Sequence, residues 1–162
     1  MAKRVNQSQK KPTVDLDNAR EAEQVRVMKR IIKAGDCPFC LKNLRKYHKQ
    51  PILKETKHWL LTKNQWPYPN TAVHLLAIYK HHAERLADLV PGAGADLLEL
   101  MQWAEKEFQA PGGGWCMRFG DTDYSAGTIR HIHVQFLVPD IKAPDYDAKP
   151  VRIKIGKTKK KI

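Results

Sequence analysis

The run His131-Ile132-His133-Val134-Gln135-Phe136-Leu137 constrains this chain more than any other stretch. Read as a strand over Arg130 to Val138, it sends alternate side chains to opposite faces. His131, His133 and Gln135 then share one face, and Ile132, Val134 and Phe136 the other. The apolar face requires a core. The polar row, set against the same sheet, requires partners for its hydrogen-bonding atoms. A binding site supplies such partners; on the pattern alone, an exposed strand face is the alternative. The preceding loop, Ser125-Ala126-Gly127-Thr128, offers backbone N–H groups and the Thr128 hydroxyl to a phosphate. An imidazole facing a phosphate cradle is suited to phosphoryl or nucleotidyl transfer.

The remaining periodicities point to one α+β domain. Spacing over Asp15 to Ala34 predicts a helix that Gly35 ends. Cys37-Pro38-Phe39-Cys40 reads as a tight turn, and 51–62 as a strand centred on His58-Trp59-Leu60-Leu61. Val73 to Tyr79 reads as a buried strand, 82–90 as a short helical segment, and Ala95 to Gln109 as an amphipathic helix. Trp115 to Phe119 completes the strands. Trp59, Trp103 and Trp115 are expected in the core, whereas His48 and His58 have no evident partner in the sequence. No run is long and apolar enough to cross a bilayer. The basic N-terminus lacks the apolar stretch of a secretory signal, so the cytoplasm is expected.

Charge divides the chain further. Residues 1–12 contribute Lys3, Arg4, Lys10 and Lys11; residues 142–162 contribute seven Lys and one Arg against Asp145 and Asp147. The two ends thus hold +10 of the +12 net charge. We expect a basic flexible arm over 1–13, a catalytic domain over 14–141, and a basic C-terminal extension over 142–162. Such tails are commonly solvated; they also suit contact with nucleic acid or another polyanion. Three cysteines, two of them in the Cys37-x-x-Cys40 spacing, suit a zinc half-site or a redox pair better than a disulfide framework. Cys116 is expected as an ordinary buried thiol.

Three landmarks resemble the histidine triad superfamily. Ala126-Gly127-Thr128-Ile129-Arg130-His131-Ile132-His133-Val134-Gln135 is similar to its phosphate loop and its His-x-His-x-His or His-x-His-x-Gln triad. Val73 to His82 resembles its Gly-His-hydrophobic strand running into a Pro-Lys-Arg-His turn. Asn64-Gln65-Trp66-Pro67-Tyr68 resembles the Asn-x-aromatic-Pro-Tyr run of the diadenosine tetraphosphate phosphorylase and galactose-1-phosphate uridylyltransferase branch. The landmarks occur in the family's order across 36–140. Ala126 and Gly127 depart from the usual Gly and Gln, and Tyr79 and His81 from the usual Pro and Arg.

The resemblance implies a HIT-like fold with an antiparallel sheet of about five strands and two main helices. It implies His133 as a nucleophile carrying a covalent nucleotidyl intermediate, with Gln135 hydrogen-bonding the transferring phosphate. It gives the ribose to Asn64 and phosphate-side contacts to His74, Gly127 and Thr128. Aliphatic residues beside Asn64 and His74 would hold the base. It names His82 and His131 as partners of Cys37 and Cys40 in a structural zinc site, with no organic cofactor. A homodimer is common in the family, with the 95–109 helix a candidate surface. A third-position glutamine cannot donate a proton as a histidine can, so it favours leaving groups that depart as stable anions. The implied activity is cleavage of a nucleoside phosphoanhydride, such as a dinucleoside polyphosphate, by phosphorolysis, nucleotidyl transfer or hydrolysis. The rival readings are a non-catalytic nucleotide or RNA-end binding module and a hydrolase of adenylated amines.

Overall fold

The computed structural model describes residues 12–157, so nearly all of the expected N-terminal arm and the last five residues lie outside it. Five strands form one antiparallel sheet in the order β1-β2-β3-β5-β4. They are β1 (Ile52–Glu55), β2 (Trp59–Lys63), β3 (Thr71–Tyr79), β4 (Gly114–Arg118) and β5 (His133–Pro139). The helices are α1 (Ala22–Ala34), α2 (Leu41–Tyr47), α3 (Ala93–Glu107) and the single turn α4 (Thr122–Ser125). This is the expected α+β architecture, with one antiparallel sheet of five strands.

The sheet has two unlike faces because its strands alternate. Trp59, Leu61, Leu75, Ala77, Tyr79, Val134, Phe136 and Val138 point to one face and pack with Leu97, Leu100, Met101 and Ala104 of α3. This is the main core. The opposite face carries Leu60, Leu76 and Ile78, covered by Phe39 and Leu44 from the Cys37–Cys40 turn and α2. Register places the polar residues on that second face. Arg118 and Ile78 both flank His133, and Cys116 and Leu76 both flank Gln135.

Several local expectations shift. The single strand expected over 51–62 is a hairpin, β1 and β2, with Thr56 to His58 in the turn. In that turn the Thr56 N–H donates to the carbonyl of Trp59. The first helix starts at Ala22 rather than near Asp15, after a short 3-10 turn over Leu16–Asn18. It ends at Gly35 as expected: this residue has φ +67° and donates its N–H to Ile31 and Ile32 carbonyls, a conformation that glycine adopts without Cβ strain. Helix α2 has no forecast in the sequence, because only seven residues cover one apolar patch. Trp115 is a correction: it is 52% exposed on the edge strand β4, where no second element covers it. Cys116 is half-buried.

His48 and His58 both have partners. His48 Nε2 lies 2.8 Å from the Thr62 hydroxyl. Asp96 accepts from the His58 backbone N–H at 3.0 Å and from its Nδ1 at 2.8 Å, fastening the β1–β2 turn to the first turn of α3. The C-terminal extension is not a free tail through residue 157. It returns to the body, where Lys157 Nζ meets Asp15 at 2.5 Å, Asp123 at 3.0 Å and Asp17 at 3.3 Å. Among the described residues, no helix is long and apolar enough to cross a membrane.

The two neighbouring leucines of α3 test the orientation of that helix. Leu100 is fully buried and Leu98 is 51% exposed. Equilibrium denaturation of Leu100→Ala should show a loss of about 2–5 kcal/mol, the range for cavity-forming leucine truncations. Leu98→Ala should stay within about 0.5 kcal/mol, as for other surface substitutions.

Candidate active site and metal centre

His133 opens β5 and points into a cavity of about 570 Å³. That volume lies within the range of about 300–1,000 Å³ typical of small-molecule sites. The imidazole is 5% exposed, and burial pushes its pKa from 6.5 down to about 4. The carbonyl of His131 opposes that shift, and the neighbouring Arg118 cation adds to it. His133 is therefore neutral at pH 7. Its Nδ1–H donates to the His131 carbonyl at 2.7 Å, which leaves the lone pair on Nε2. The ring edge of Phe39 packs against it at 5.2 Å between centroids.

Gln135 follows on the same face and also borders the cavity. Behind it stands His74, buried on β3. His74 Nδ1 accepts the Tyr68 backbone N–H at 2.9 Å, so its proton sits on Nε2, 3.2 Å from Gln135 Oε1. This fixes the Gln135 amide with its oxygen toward His74 and its NH2 group available as a donor. Asn64 packs 2.9 Å from the same His74 nitrogen, while its Oδ1 accepts the Trp66 N–H at 2.9 Å. Asn64 lines the cavity; His74 does not. His74 thus orients Gln135 rather than facing the cavity as expected, and Asn64 is held by the Trp66 N–H. Burial pushes its pKa down to about 4, so it too is neutral.

The loop after α4 forms another wall. Ala126 has φ +52° and turns the chain into Gly127 and Thr128, both of which border the cavity. Gly127 is tied down: its N–H donates to Ser125 Oγ at 3.3 Å and its carbonyl accepts from Asn18 Nδ2 at 2.9 Å. The Thr128 carbonyl accepts the Asp15 N–H at 2.8 Å. The apolar wall comes from Val27, Met28 and Ile31 of α1, with Pro38, Phe39 and Leu76. It is thus built mainly by α1 and the cysteine turn, not only by neighbours of Asn64 and His74.

Two cavity residues escaped the sequence reading. Arg118 is 6% exposed beside His133. Its Nη1 donates to the carbonyls of Ser125 and, at 2.7 Å, Lys154. Arg20 lies over the Tyr68 ring at 4.3 Å and donates to the Trp66 carbonyl at 2.6 Å. Only the β4–β5 register reveals that Arg118 and His133 share a face. Arg20 reaches its partners across 46 residues. No local motif encodes either placement.

The four expected metal ligands meet on the other side of His131. This residue lies in the bend before β5, not in the strand, so it does not continue the His133–Gln135 row as expected. One ligand atom each from Cys37, Cys40, His82 and His131 falls within a 4.8 Å cluster. Cys37 Sγ is 3.3 Å and Cys40 Sγ 3.9 Å from His131 Nδ1, and Cys40 Sγ is 3.4 Å from His82 Nδ1. Tetrahedral zinc with ordinary Zn–S and Zn–N bonds sets sulfur and nitrogen about 3.6 Å apart. The tautomer also fits. His131 Nε2–H donates to the Tyr79 carbonyl at 2.7 Å, leaving the Nδ1 lone pair aimed at the cluster. Burial keeps His131 neutral, at about 4, and pushes the Cys37 thiol up to about 12. A bound divalent cation reverses that penalty by stabilising the thiolate. The four residues therefore fit zinc, in a closed structural site.

No family model matches the sequence, and no curated protein matches it. Solved structures do match in fold. A histidine triad nucleotide-binding protein from Candida albicans is 20% identical with a TM-score of 0.54, covering 70% of this chain and 89% of its own. A HIT family hydrolase from Clostridium thermocellum is 19% identical with a TM-score of 0.52, covering 67% and 95%. A zinc-bound histidine triad family protein from Mycobacterium smegmatis is 24% identical with a TM-score of 0.51, covering 67% and 78%. The chain has the HIT-like α+β fold.

Purified protein should carry about one zinc per chain, because all four ligands of a closed site are present. Chelation should lower the melting temperature by about 10 °C or more, since metal binding contributes directly to folding. Elemental analysis and melting with and without a strong chelator make the measurement. Absence of zinc, with melting unchanged by chelator, would rule the centre out.

Proposed function

We propose that this protein is a histidine triad enzyme that cleaves nucleoside phosphoanhydrides through a nucleotidyl-His133 intermediate. One observation carries the reading. His133 is neutral, its Nδ1 is committed to the His131 carbonyl, and it faces a cavity bordered by Arg20 and Arg118. A neutral imidazole with its outer nitrogen unprotonated is a competent nucleophile. The cations favour an anionic substrate.

In this reading the base lies against Met28, Ile31 and Phe39, and Asn64 meets the ribose. His133 Nε2 attacks the α-phosphorus; a P–N bond forms and the anhydride P–O bond breaks. The electron pair leaves with the departing phosphate, which is a stable anion and needs no proton. Gln135 donates its NH2 to a phosphoryl oxygen, in the orientation that His74 sets. An acceptor oxygen then attacks the same phosphorus, breaks the P–N bond and restores His133. Water, phosphate and a sugar phosphate are all acceptors of suitable chemistry. The absence of a proton donor at Gln135 favours phosphorolysis or transfer, and disfavours release of an amine. Zinc at Cys37, Cys40, His82 and His131 would hold the fold and take no part in these steps.

Three variants separate the roles. His133→Ala should lower kcat on diadenosine tetraphosphate by about 10³-fold or more, with the melting temperature kept, because a truncated nucleophile removes transition-state stabilisation. Gln135→Ala should cost about 2–4 kcal/mol in activation, as for loss of an oxyanion donor. His131→Ala should lower activity and melting together. Mass spectrometry of wild-type protein quenched in base, where the P–N bond survives, should show a nucleotidyl adduct on His133. Near wild-type turnover by His133→Ala would end the assignment and leave a nucleotide-binding module.

A further inference from the structure

The two ends hold +10 of the net charge, which leaves +2 for residues 13–141. That small balance hides a separation across the sheet. Helix α3, which packs on one sheet face, carries Asp96, Glu99, Glu105 and Glu107 against Lys106. On the other side, α1 carries Arg26, Lys29, Arg30 and Lys33 against Glu23, and α2 carries Lys42, Arg45 and Lys46 against no acid. The sheet thus stands between a helix of −3 and a helix pair of +6.

The two basic helices lie together. Tyr47 of α2 packs with Met28 and Ile31 of α1, and its hydroxyl donates to Asp36, just past α1, at 2.5 Å. Through Leu44, α2 also covers Leu60, Leu76 and Ile78 of the sheet. At about 3.6 residues per turn, Arg26, Lys29, Arg30 and Lys33 fall within an arc of about 100°, opposite the buried Gln24, Met28 and Ile31. Lys42, Arg45 and Lys46 fall within a similar arc, opposite Asn43, Leu44 and Tyr47. All of these cations are exposed. Asp36 takes up Lys46 at 2.8 Å and lies near Lys42. Among the described residues, Arg26, Lys29, Arg30, Lys33 and Arg45 make no ion pair.

A helix face that serves only solubility mixes both signs and gains from opposite charges at i,i+4. These faces instead set like charges at that spacing, Arg26 with Arg30, Lys29 with Lys33 and Lys42 with Lys46. Such pairs repel and destabilise a helix. A single-sign field of this kind attracts a polyanion. The face also adjoins the cavity: Gln24, Val27, Met28 and Ile31 of α1 and Tyr47 of α2 border it, whereas the cations themselves do not. The exposed apolar residues nearby, Ile32 and Leu41, stand singly. A helix that lies on an anionic membrane needs a continuous apolar face beside its cations, so a nucleic acid fits this surface better than a lipid layer does.

We infer that the α1–α2 face binds the phosphate backbone of a single-stranded nucleic acid whose terminal nucleotide enters the cavity. The choice of nucleic acid rests on the nucleotide reading above; the polyanion surface rests on the charge separation. A base held in the cavity is unstacked and unpaired, so the strand that it ends is single at that point. The next phosphates run across α1 and α2, where each one neutralised releases counterions.

Fluorescence anisotropy of the full chain with a labelled single-stranded deoxyadenosine 12-mer, over about 50–200 mM salt, provides the test. Wild-type affinity should fall as salt rises. The R26A/K29A/R30A/K33A/R45A variant should lose about tenfold or more at the low-salt end. Its slope of log affinity against log salt should be shallower by about 2, as for three lost phosphate contacts on a single strand. The K3A/R4A/K159A/K160A/K161A variant removes the same charge from the two ends. It should stay within about threefold of wild type, because charges beyond a Debye length are screened. Both variants should keep the wild-type melting temperature, and calorimetric AMP affinity within about twofold. Equal losses in the two variants, or no loss in the first, overturn the face. Tighter wild-type binding to phosphatidylserine vesicles than to the 12-mer, abolished in the first variant, overturns nucleic acid as the occupant. Wild-type protein that binds the 12-mer through this face but does not bind AMP overturns the nucleotide reading, and with it the seating of a terminal nucleotide, while the polyanion surface stands.

Discussion

Strand β5 is paired on both edges and covered on both faces, and the rest of the site answers to that constraint. Its neighbours β3 and β4 take up its backbone groups. One face, Val134, Phe136 and Val138, is committed to the α3 core. The other face places an imidazole and an amide where water is scarce, and buried polar atoms must be satisfied. The protein meets part of the demand: the His131 carbonyl takes the His133 proton, and His74 takes the Gln135 oxygen. What is left faces the cavity, namely a lone pair on His133 and a donor on Gln135. The side-chain chemistry of the site is the remainder of a packing problem that the fold solves only halfway.

The cysteine–histidine cluster works on the same strand from its start. Its ligands come from the turn before α2, from the segment after β3, and from the bend before β5. Without a cation, burial keeps Cys37 in its neutral thiol form. With one, three chain segments become a single cross-linked unit only two residues from His133. The His131 carbonyl, which orients the His133 ring, belongs to a ligand residue. Metal binding and the orientation of His133 would therefore share one residue through different atoms. Loss of the cluster should disturb the His133 ring as well as the fold.

Much of this was legible in the sequence where the signal is local. Period-two alternation placed His133 and Gln135 on one face and Val134 and Phe136 in the core, and both hold. Gly35 ends α1 because a left-handed residue is needed there. The Cys37-x-x-Cys40 spacing is local too, and His82 and His131, which only the resemblance names, converge on it in space. What failed depends on long-range register or coverage. His131 leaves the strand to reach the cluster, although alternation placed it in the row. Trp115 looked like core because it is large and apolar, yet an edge strand has no neighbour to bury it. Arg118 was invisible because its meaning comes entirely from pairing with β5. His58 needed Asp96, 38 residues away.

The distribution of charge is the deepest of these shifts. Counted along the chain, the positive residues of 142–162 look like a solvated tail. Folded, those from 149 to 157 divide into anchors and rim. Lys157 is neutralised by a nest of three aspartates, so it contributes attachment rather than field. Arg152 and Lys154 border the cavity as exposed residues. The acids that hold this segment, Asp15 and Asp17 near the start and Asp123 beside α4, are far apart in sequence. Their meeting requires the short bridge between Val14 and Ile129 that brings the N-terminal segment alongside the approach to β5. Net charge measured on the sequence therefore says little about where the cations gather. The fold decides it, setting Arg20 and Arg118 at the cavity and pairing Arg118 directly with His133 across β4 and β5.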